Sequence, residues 1–195
     1  MKPPLGVILA GGKATRMGGG DKGFLKLGDQ RLLDHVIARL GPQVSDIALN
    51  ANGDPQRFDN LKLQVIADSI GGFAGPLSGV LAGLDWAADR GADRIVTVAA
   101  DTPFFPRDLV ARLILVGKEK NARITLAETA SGRHPTFGLW PVTLREDLRS
   151  ALADGLRKVV VWADQHGCAS AHFPDDAAFF NINTPEDLGT AQGMI

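Results

Sequence analysis

A short apolar run, Leu5 to Ala10, leads into a glycine-dense loop and then into an amphipathic stretch, Leu32 to Leu40. Strand, loop and helix in that order open a βα unit, which constrains this chain more than any other segment does. The loop reads Leu9-Ala-Gly-Gly-Lys-Ala-Thr-Arg-Met-Gly-Gly-Gly-Asp-Lys-Gly23. It sets Gly11, Gly12, Gly18, Gly19 and Gly20 among the cations Lys13, Arg16 and Lys22. Glycines admit positive φ and let backbone N–H groups approach a ligand. Successive N–H groups cradle an anion, and Arg and Lys add charge to the cradle. A loop that serves only as a turn has no use for concentrated positive charge. The pattern therefore points to a nucleoside triphosphate. No Gly-Lys-Ser/Thr closes the segment, and no Gly-x-Gly-x-x-Gly spacing immediately follows the strand. Neither of the two common phosphate loops is present.

Beyond the loop, apolar runs and amphipathic stretches alternate. Asp46–Asn52, Leu61–Asp68 and Arg94–Asp101 read as strands. The last is nearly all apolar, as expected where both faces of a sheet are covered. Pro76 suits the first turn of a helix running to Asp89. Pro106–Gly117 reads as a helix, and Ile124–Thr129 and Thr136–Trp140 as strands about a Ser-Gly-Arg-His turn. Thr143–Ala153 and Leu156–Gln165 read as helices, and Ala169–Phe173 and Phe179–Ile182 as short strands. A last helix starts at the N-cap Thr184, with Pro185 first and Asp187 third. The alternation predicts one three-layer α/β domain, residues 1–195, with a mostly parallel sheet. Ligands of such sheets bind beyond the carboxyl ends of the strands, at a switch in strand order. The loops after Ala10, Asn50, Asp68 and Asp101 should then line one cleft.

Composition narrows the classes. With 195 residues the chain is long enough for one real core. A net charge of −1 gives no global attraction to nucleic acid or to an anionic membrane. The single cysteine, Cys168, excludes an internal disulfide and any zinc site with more than one thiolate. It reads as a small buried hydrophobe. No apolar stretch is long enough to cross a membrane, and Met1-Lys-Pro-Pro-Leu5 leaves no room for a signal peptide, so a cytoplasmic protein is expected.

Several polar residues stand where such a fold would use them. Asp101 ends an apolar strand before Thr102-Pro103, as either a metal ligand or a turn residue. Asp68 either accepts from N1–H and the exocyclic amine of guanine or caps a turn before Ser69. Asn50 and Asn52 end the second strand, within reach of a base or ribose. Arg157 and Lys158 either meet a phosphate or lie on a solvated face. His35, His166 and His172 lack metal-like spacing.

The first loop resembles the signature of the nucleotidyltransferases that activate sugar phosphates, terpenoid precursors and cofactors. Their common form is Leu-Ala-Gly/Ala-Gly, then Arg-Met, then Lys. Gly11-Gly12 and Asp21-Lys-Gly23 narrow the resemblance to the molybdenum cofactor guanylyltransferases. Asn50-Ala-Asn52, Asp68-Ser69, Gly75-Pro-Leu-Ser-Gly79, Ala100-Asp-Thr-Pro-Phe104, Arg133-His-Pro-Thr136 and Asn181-Ile-Asn-Thr-Pro185 extend it nearly end to end. Ile70-Gly-Gly-Phe-Ala74 departs from it. The resemblance implies a Rossmann-like fold of the nucleotide-diphospho-sugar transferase type. It implies Mg²⁺-dependent transfer of GMP from GTP to the terminal phosphate of molybdopterin, carrying molybdenum, with release of pyrophosphate. The attacking phosphate is already ionised, which fits a chain with no Ser/His constellation. Leu9, Ala10, Gly11, Gly12, Lys22, Asn50, Asp68, Gly75, Pro76 and Asp101 would then bind GTP. Arg16, Lys22 and Asp101 would be catalytic, with Asp101 holding Mg²⁺. Arg133 and His134, in an exposed turn, would meet the pterin together with Asn181 and Asn183, which two apart on a strand share one face. Proteins that insert molybdenum and molybdoenzyme chaperones are the expected protein partners. Two other readings stand beside this one. One is a cytidylyltransferase for the same pterin or another phosphorylated small molecule. The other is a non-catalytic GTP-binding protein that delivers the cofactor.

Overall fold

The computed structural model describes residues 2–11, 22–71 and 75–195. Gly12, Lys13, Arg16, the glycines 18–20 and Asp21 of the first loop therefore lie outside the described residues, as do residues 72–74. The elements in chain order are β1 (Leu5–Leu9), β2 (Lys26–Leu27), β3 (Gln30–Arg31), α1 (Leu32–Leu40), β4 (Ile47–Asn50), β5 (Gln64–Ile66), α2 (Pro76–Asp89) and β6 (Arg94–Ala99). After these come α3 (Leu109–Glu119), β7 (Ile124–Thr129), β8 (Gly132–Pro141), α4 (Arg145–Ala153), α5 (Val159–Gln165), β9 (Cys168–His172) and α6 (Pro185–Gln192).

Side chains that alternate across a strand explain the layering. On β1, Leu5 and Val7 face one core and Ile8 the other. On β6, Ile95 joins the first core, and Val96 and Val98 the second. α2, α4 and α5 cover the first face through Leu81, Leu84, Leu148 and Trp162. α1 and α3 cover the other through Leu33, Val36, Leu109 and Leu113. Among the described residues the central sheet has seven strands in the order β5-β4-β1-β6-β8-β7-β9. β5, β4, β1 and β6 are mutually parallel, and β7 is parallel to β9. β8 is antiparallel to both of its neighbours. The small β2–β3 hairpin packs with α6 over Leu27, Leu32, Ile182 and Ala191.

The three-layer α/β reading with a mostly parallel sheet holds, and α1 and α2 run over the expected residues. Four expectations are corrected. The strand expected from Leu61 begins at Gln64, because Asp54 caps a 3₁₀ segment over Pro55–Leu61. The helix expected from Leu156 begins at Val159. Gly132, Arg133 and His134 form no exposed turn. They begin β8, with Arg133 opposite Glu128 and His134 opposite Ala127. Phe179–Ile182 is no strand either. A 3₁₀ turn over Ala177–Phe179 leads into an extended stretch that no strand among the described residues pairs with, tied down where Ile182 N–H donates to the Asp101 carbonyl at 2.9 Å.

One buried polar contact joins β6 to β8. The indole N–H of Trp140 donates to Thr97 Oγ1 at 2.9 Å, and both residues are fully buried. Thr97→Val keeps the volume and strands that N–H. A loss of about 1–3 kcal/mol in folding free energy is expected from urea unfolding.

Candidate functional site

The carboxyl ends of β1, β4 and β6 open into a cleft of about 760 Å³. Strand order reverses direction about β1, so this is the crevice that parallel sheets offer to ligands. Leu9, Gly11, Asn50, Asn52, Asp68, Ile70, Gly71, Gly75 and Pro76 line one side. Ala99, Asp101, Thr136 and Asn181 line the other. The four loops expected to meet do so among the described residues.

At the first side two asparagines fix one carboxylate. Asn50 Nδ2 donates to Asp68 Oδ1 at 3.0 Å, and Asn52 Nδ2 donates to Oδ2 at 2.8 Å. Asn52 also accepts from the Asp68 backbone N–H at 2.9 Å, so the acid is held at both ends. Each carboxylate oxygen has lone pairs left, and the plane of the group is set. The residue after it is anchored elsewhere. Ser69 Oγ donates to Asp85 of α2 at 2.5 Å, and Asp85 receives Arg149 of α4 at 2.6 Å.

Asn50 sits where it does because α2 carries glycine at its first turn. A Cβ on Gly79 would overlap Asn50 Oδ1 and stand 2.7 Å from Leu9 Cδ2. One turn on, a Cβ on Gly83 would stand 2.8 Å from Val7 Cγ2. α2 thus lies directly on the sheet beneath the cleft. Gly79→Ala is expected to push the Asn50 amide off Asp68 and to lower stability by about 1–3 kcal/mol, read as a fall in Tm.

At the other side, Lys22 Nζ lies 3.4 Å from Asp101 Oδ2 and hydrogen-bonds Asn183 Oδ1. The ion pair is largely shielded, with side-chain exposures of 15% for Lys22 and 21% for Asp101. Burial pushes the Asp101 carboxyl above its ordinary range, while the Lys22 ammonium pulls it down. Asn183 is positioned by a capping box. Asp187 accepts from the backbone N–H of Asn183 at 2.8 Å and of Thr184 at 2.9 Å, and Thr184 Oγ1 caps Asp187 N–H at 3.1 Å. Asn181 and Asn183 flank the buried Ile182, so the alternation expected of a strand survives without one.

The remaining sequence candidates fall elsewhere. Ala10 lies beside Lys22 in a small pocket that shares Asp101 with the cleft. Arg133 turns to Asp164 at 2.7 Å and to Glu128 at 3.8 Å. His134 stacks on Phe179 with centroids 4.3 Å apart, and its Nε2 meets Thr129 Oγ1 at 2.8 Å. Burial holds its imidazole below the ordinary range, against the pull of Asp176. Neither residue lines the cleft. Arg157 bonds the carbonyls of Leu152 and Leu156. His35 meets the Leu27 carbonyl at 2.9 Å and His166 meets Asp147 at 2.8 Å. Among the described residues no three His, Cys, Asp or Glu side chains gather as a metal cluster. No helix among them is long and apolar enough to cross a membrane.

Cys168 starts β9, and burial pushes its thiol up to about 11. The thiolate is the reactive form, so at pH 8 iodoacetamide should label the folded protein far more slowly than a free thiol, as read by mass spectrometry.

The family model for the MobA-like NTP transferase domain matches residues 6–168. A molybdenum cofactor guanylyltransferase of Cereibacter sphaeroides is 52% identical over 190 residues, covering 97% of this chain and 96% of that protein. One from Bradyrhizobium sp. is 50% identical over 194 residues, covering 97% and 92%. In structure the chain is similar to the molybdopterin-guanine dinucleotide biosynthesis protein A of Archaeoglobus fulgidus, with a TM-score of 0.75 and 22% identity over 97% of each chain.

Proposed function

The chain belongs to the MobA-like NTP transferase family, and from that premise we propose the reaction and the residues that carry it. The protein is a nucleotidyltransferase that moves GMP from GTP to molybdopterin, making the guanine dinucleotide cofactor. An oxygen of the pterin's terminal phosphate attacks the α-phosphorus of GTP. The bond from that phosphorus to the β-phosphate bridging oxygen breaks, and pyrophosphate leaves. Both substrates meet within one domain, residues 1–195. The observation that supports this most directly is the pairing of a fixed carboxylate, Asp68, with a shielded Asp101–Lys22 centre in one cleft.

Guanine is read by Asp68. A carboxylate accepts from N1–H and the exocyclic amine together, and adenine and cytosine lack that donor pair. The two asparagine amides hold the group in one orientation, so little freedom is lost on binding. Leu9 and the backbone to Gly11 pack on the base, and Gly75 and Pro76 form its far wall.

Lys22 and Arg16 hold the triphosphate and stabilise charge on the leaving pyrophosphate, Lys as a point charge and Arg as a planar fork. Asp101 is suited to Mg²⁺. Burial has raised its carboxyl against the pull of Lys22, so a further cation is welcome there. The neighbouring side-chain acceptor is the Asn183 amide oxygen, a hard donor of the kind Mg²⁺ takes along with substrate phosphates. Held there, Mg²⁺ would supply charge neutralisation on the triphosphate. Lys22 contacts Asp101 and Asn183 at once, which supports a role for it between the nucleotide and the second substrate. The pterin lies against Asn181 and Asn183. Direct handover to molybdenum-inserting and chaperone proteins suits a reactive product.

Lys22→Ala should lower turnover at least about tenfold with the fold intact by circular dichroism. Asp68→Asn should relax the preference for GTP in a panel with CTP, ATP and UTP, since the amide no longer accepts twice. Calorimetric titration of the parent with the four nucleotides tests the reading itself. Preference for CTP would make the protein a cytidylyltransferase, and GTP binding without pyrophosphate release would make it a delivery protein.

A further inference from the structure

The second half of the cleft contains a residue that its sequence neighbours obscure. β8 pairs with β7 regularly from Thr125–Leu139 to Leu126–Gly138, and then Ala127 pairs with His134. Pro135, Thr136 and Phe137 stand opposite no residue of β7. Pairing with β6 also stops, at Thr97–Gly138. Such bulges bend a strand and re-aim a side chain. Pro135 suits the break, because it has no N–H to leave unpaired. Phe137 packs in the core against Phe105, with centroids 5.7 Å apart, and Thr136 lines the cleft.

The bulge is braced. Phe179 takes the ring of His134 flat at 4.3 Å and the edge of Phe137 at 5.1 Å. Two residues beyond Phe179 stands Asn181, which shares this wall with Thr136 and Asp101. Phe179 thus braces the two residues that flank Pro135 and Thr136. The chemistry of Thr136 and Asn181 differs from that of the opposite wall, where Asn50, Asn52 and Asp68 satisfy one another. Among the described residues neither the Thr136 hydroxyl nor the Asn181 amide has a hydrogen-bond partner. A residue with a hydroxyl and one with an amide, both lining the cleft with Asp101 and left without partners, are available to a ligand.

We propose that Thr136 is a recognition residue for the second substrate, its hydroxyl hydrogen-bonding the phosphorylated pterin beside Asn181. His134 and Phe179 are positioning residues that hold the bulge. This rests on the guanylyltransfer reading, and it moves pterin recognition in this segment from Arg133 and His134, which are occupied internally, to Thr136.

Thr136→Val keeps the branched shape and removes the hydroxyl, and Thr136→Ser keeps the hydroxyl. Molybdopterin binding is followed by pterin fluorescence, and turnover with molybdopterin varied at saturating GTP. The Kd and KM for molybdopterin should rise about tenfold in Thr136→Val and stay near the parent values in Thr136→Ser. GTP binding by calorimetry and Tm should not move in either. Unchanged molybdopterin Kd and KM in Thr136→Val overturn the proposal. So does a rise that Thr136→Ser shares, or one accompanied by weakened GTP binding, because either marks a role in shape alone. A parent protein that binds molybdopterin but forms no dinucleotide overturns the guanylyltransfer reading only, since the fluorescence titration still reads Thr136.

Discussion

The close seating of α2 on β1 and β4 is the constraint on which the rest of the cleft depends. Gly79 and Gly83, one turn apart, remove the side chains that would hold the helix off Leu9, Asn50 and Val7. With the helix down, Asn50 turns its amide along the sheet edge to Asp68. Asp85, two turns along α2 from the helix start, reaches Ser69 and fixes the next residue of the same loop. Raising the helix by one methyl group disturbs a carboxylate that touches neither glycine. Close-packed interiors transmit such shifts because they have no slack to absorb them.

The opposite wall is built differently. Lys22, Asp101 and Asn183 come from three distant parts of the chain and meet at one ammonium group. No single element positions all three. Asp101 comes from the end of β6, Lys22 from a short 3₁₀ turn, and Asn183 from a stretch held by the capping box of α6 and by the carbonyl of Asp101. A capped helix at the end of the chain thus orders the residue that answers the first loop. Removing any one partner leaves a partly buried polar group short of its contact, and such groups cost most when they lose a partner.

Much of this was legible in the residues. Strand and helix order followed from apolar runs, and α1, α2 and the α6 cap fell on the residues expected. Asp68, Asn50 and Asp101 were identifiable because polar residues that end apolar strands collect at one edge of a parallel sheet. The misses share a cause. Arg133, His134 and Pro135 look like a turn because charge and proline are local turn signals. What keeps them in β8 is non-local, with Glu128 and Ala127 opposite and Phe179 stacked from another segment. Phe179–Ile182 has the alternation of a strand and, among the described residues, no strand partner to make it one.

The sequence by itself determined the class of fold and the edge of the sheet at which the cleft opens. Periodicity, glycine and charge are properties of neighbouring residues, and those conclusions need only neighbours. The tertiary structure decided which side chains face the cleft and which are occupied. Asp68 is oriented by two asparagines, Arg133 is turned to Asp164, and Thr136 lies at a break in pairing that lines the cleft. Each outcome depends on contacts between residues far apart in the chain, and no local pattern encodes which of those contacts form.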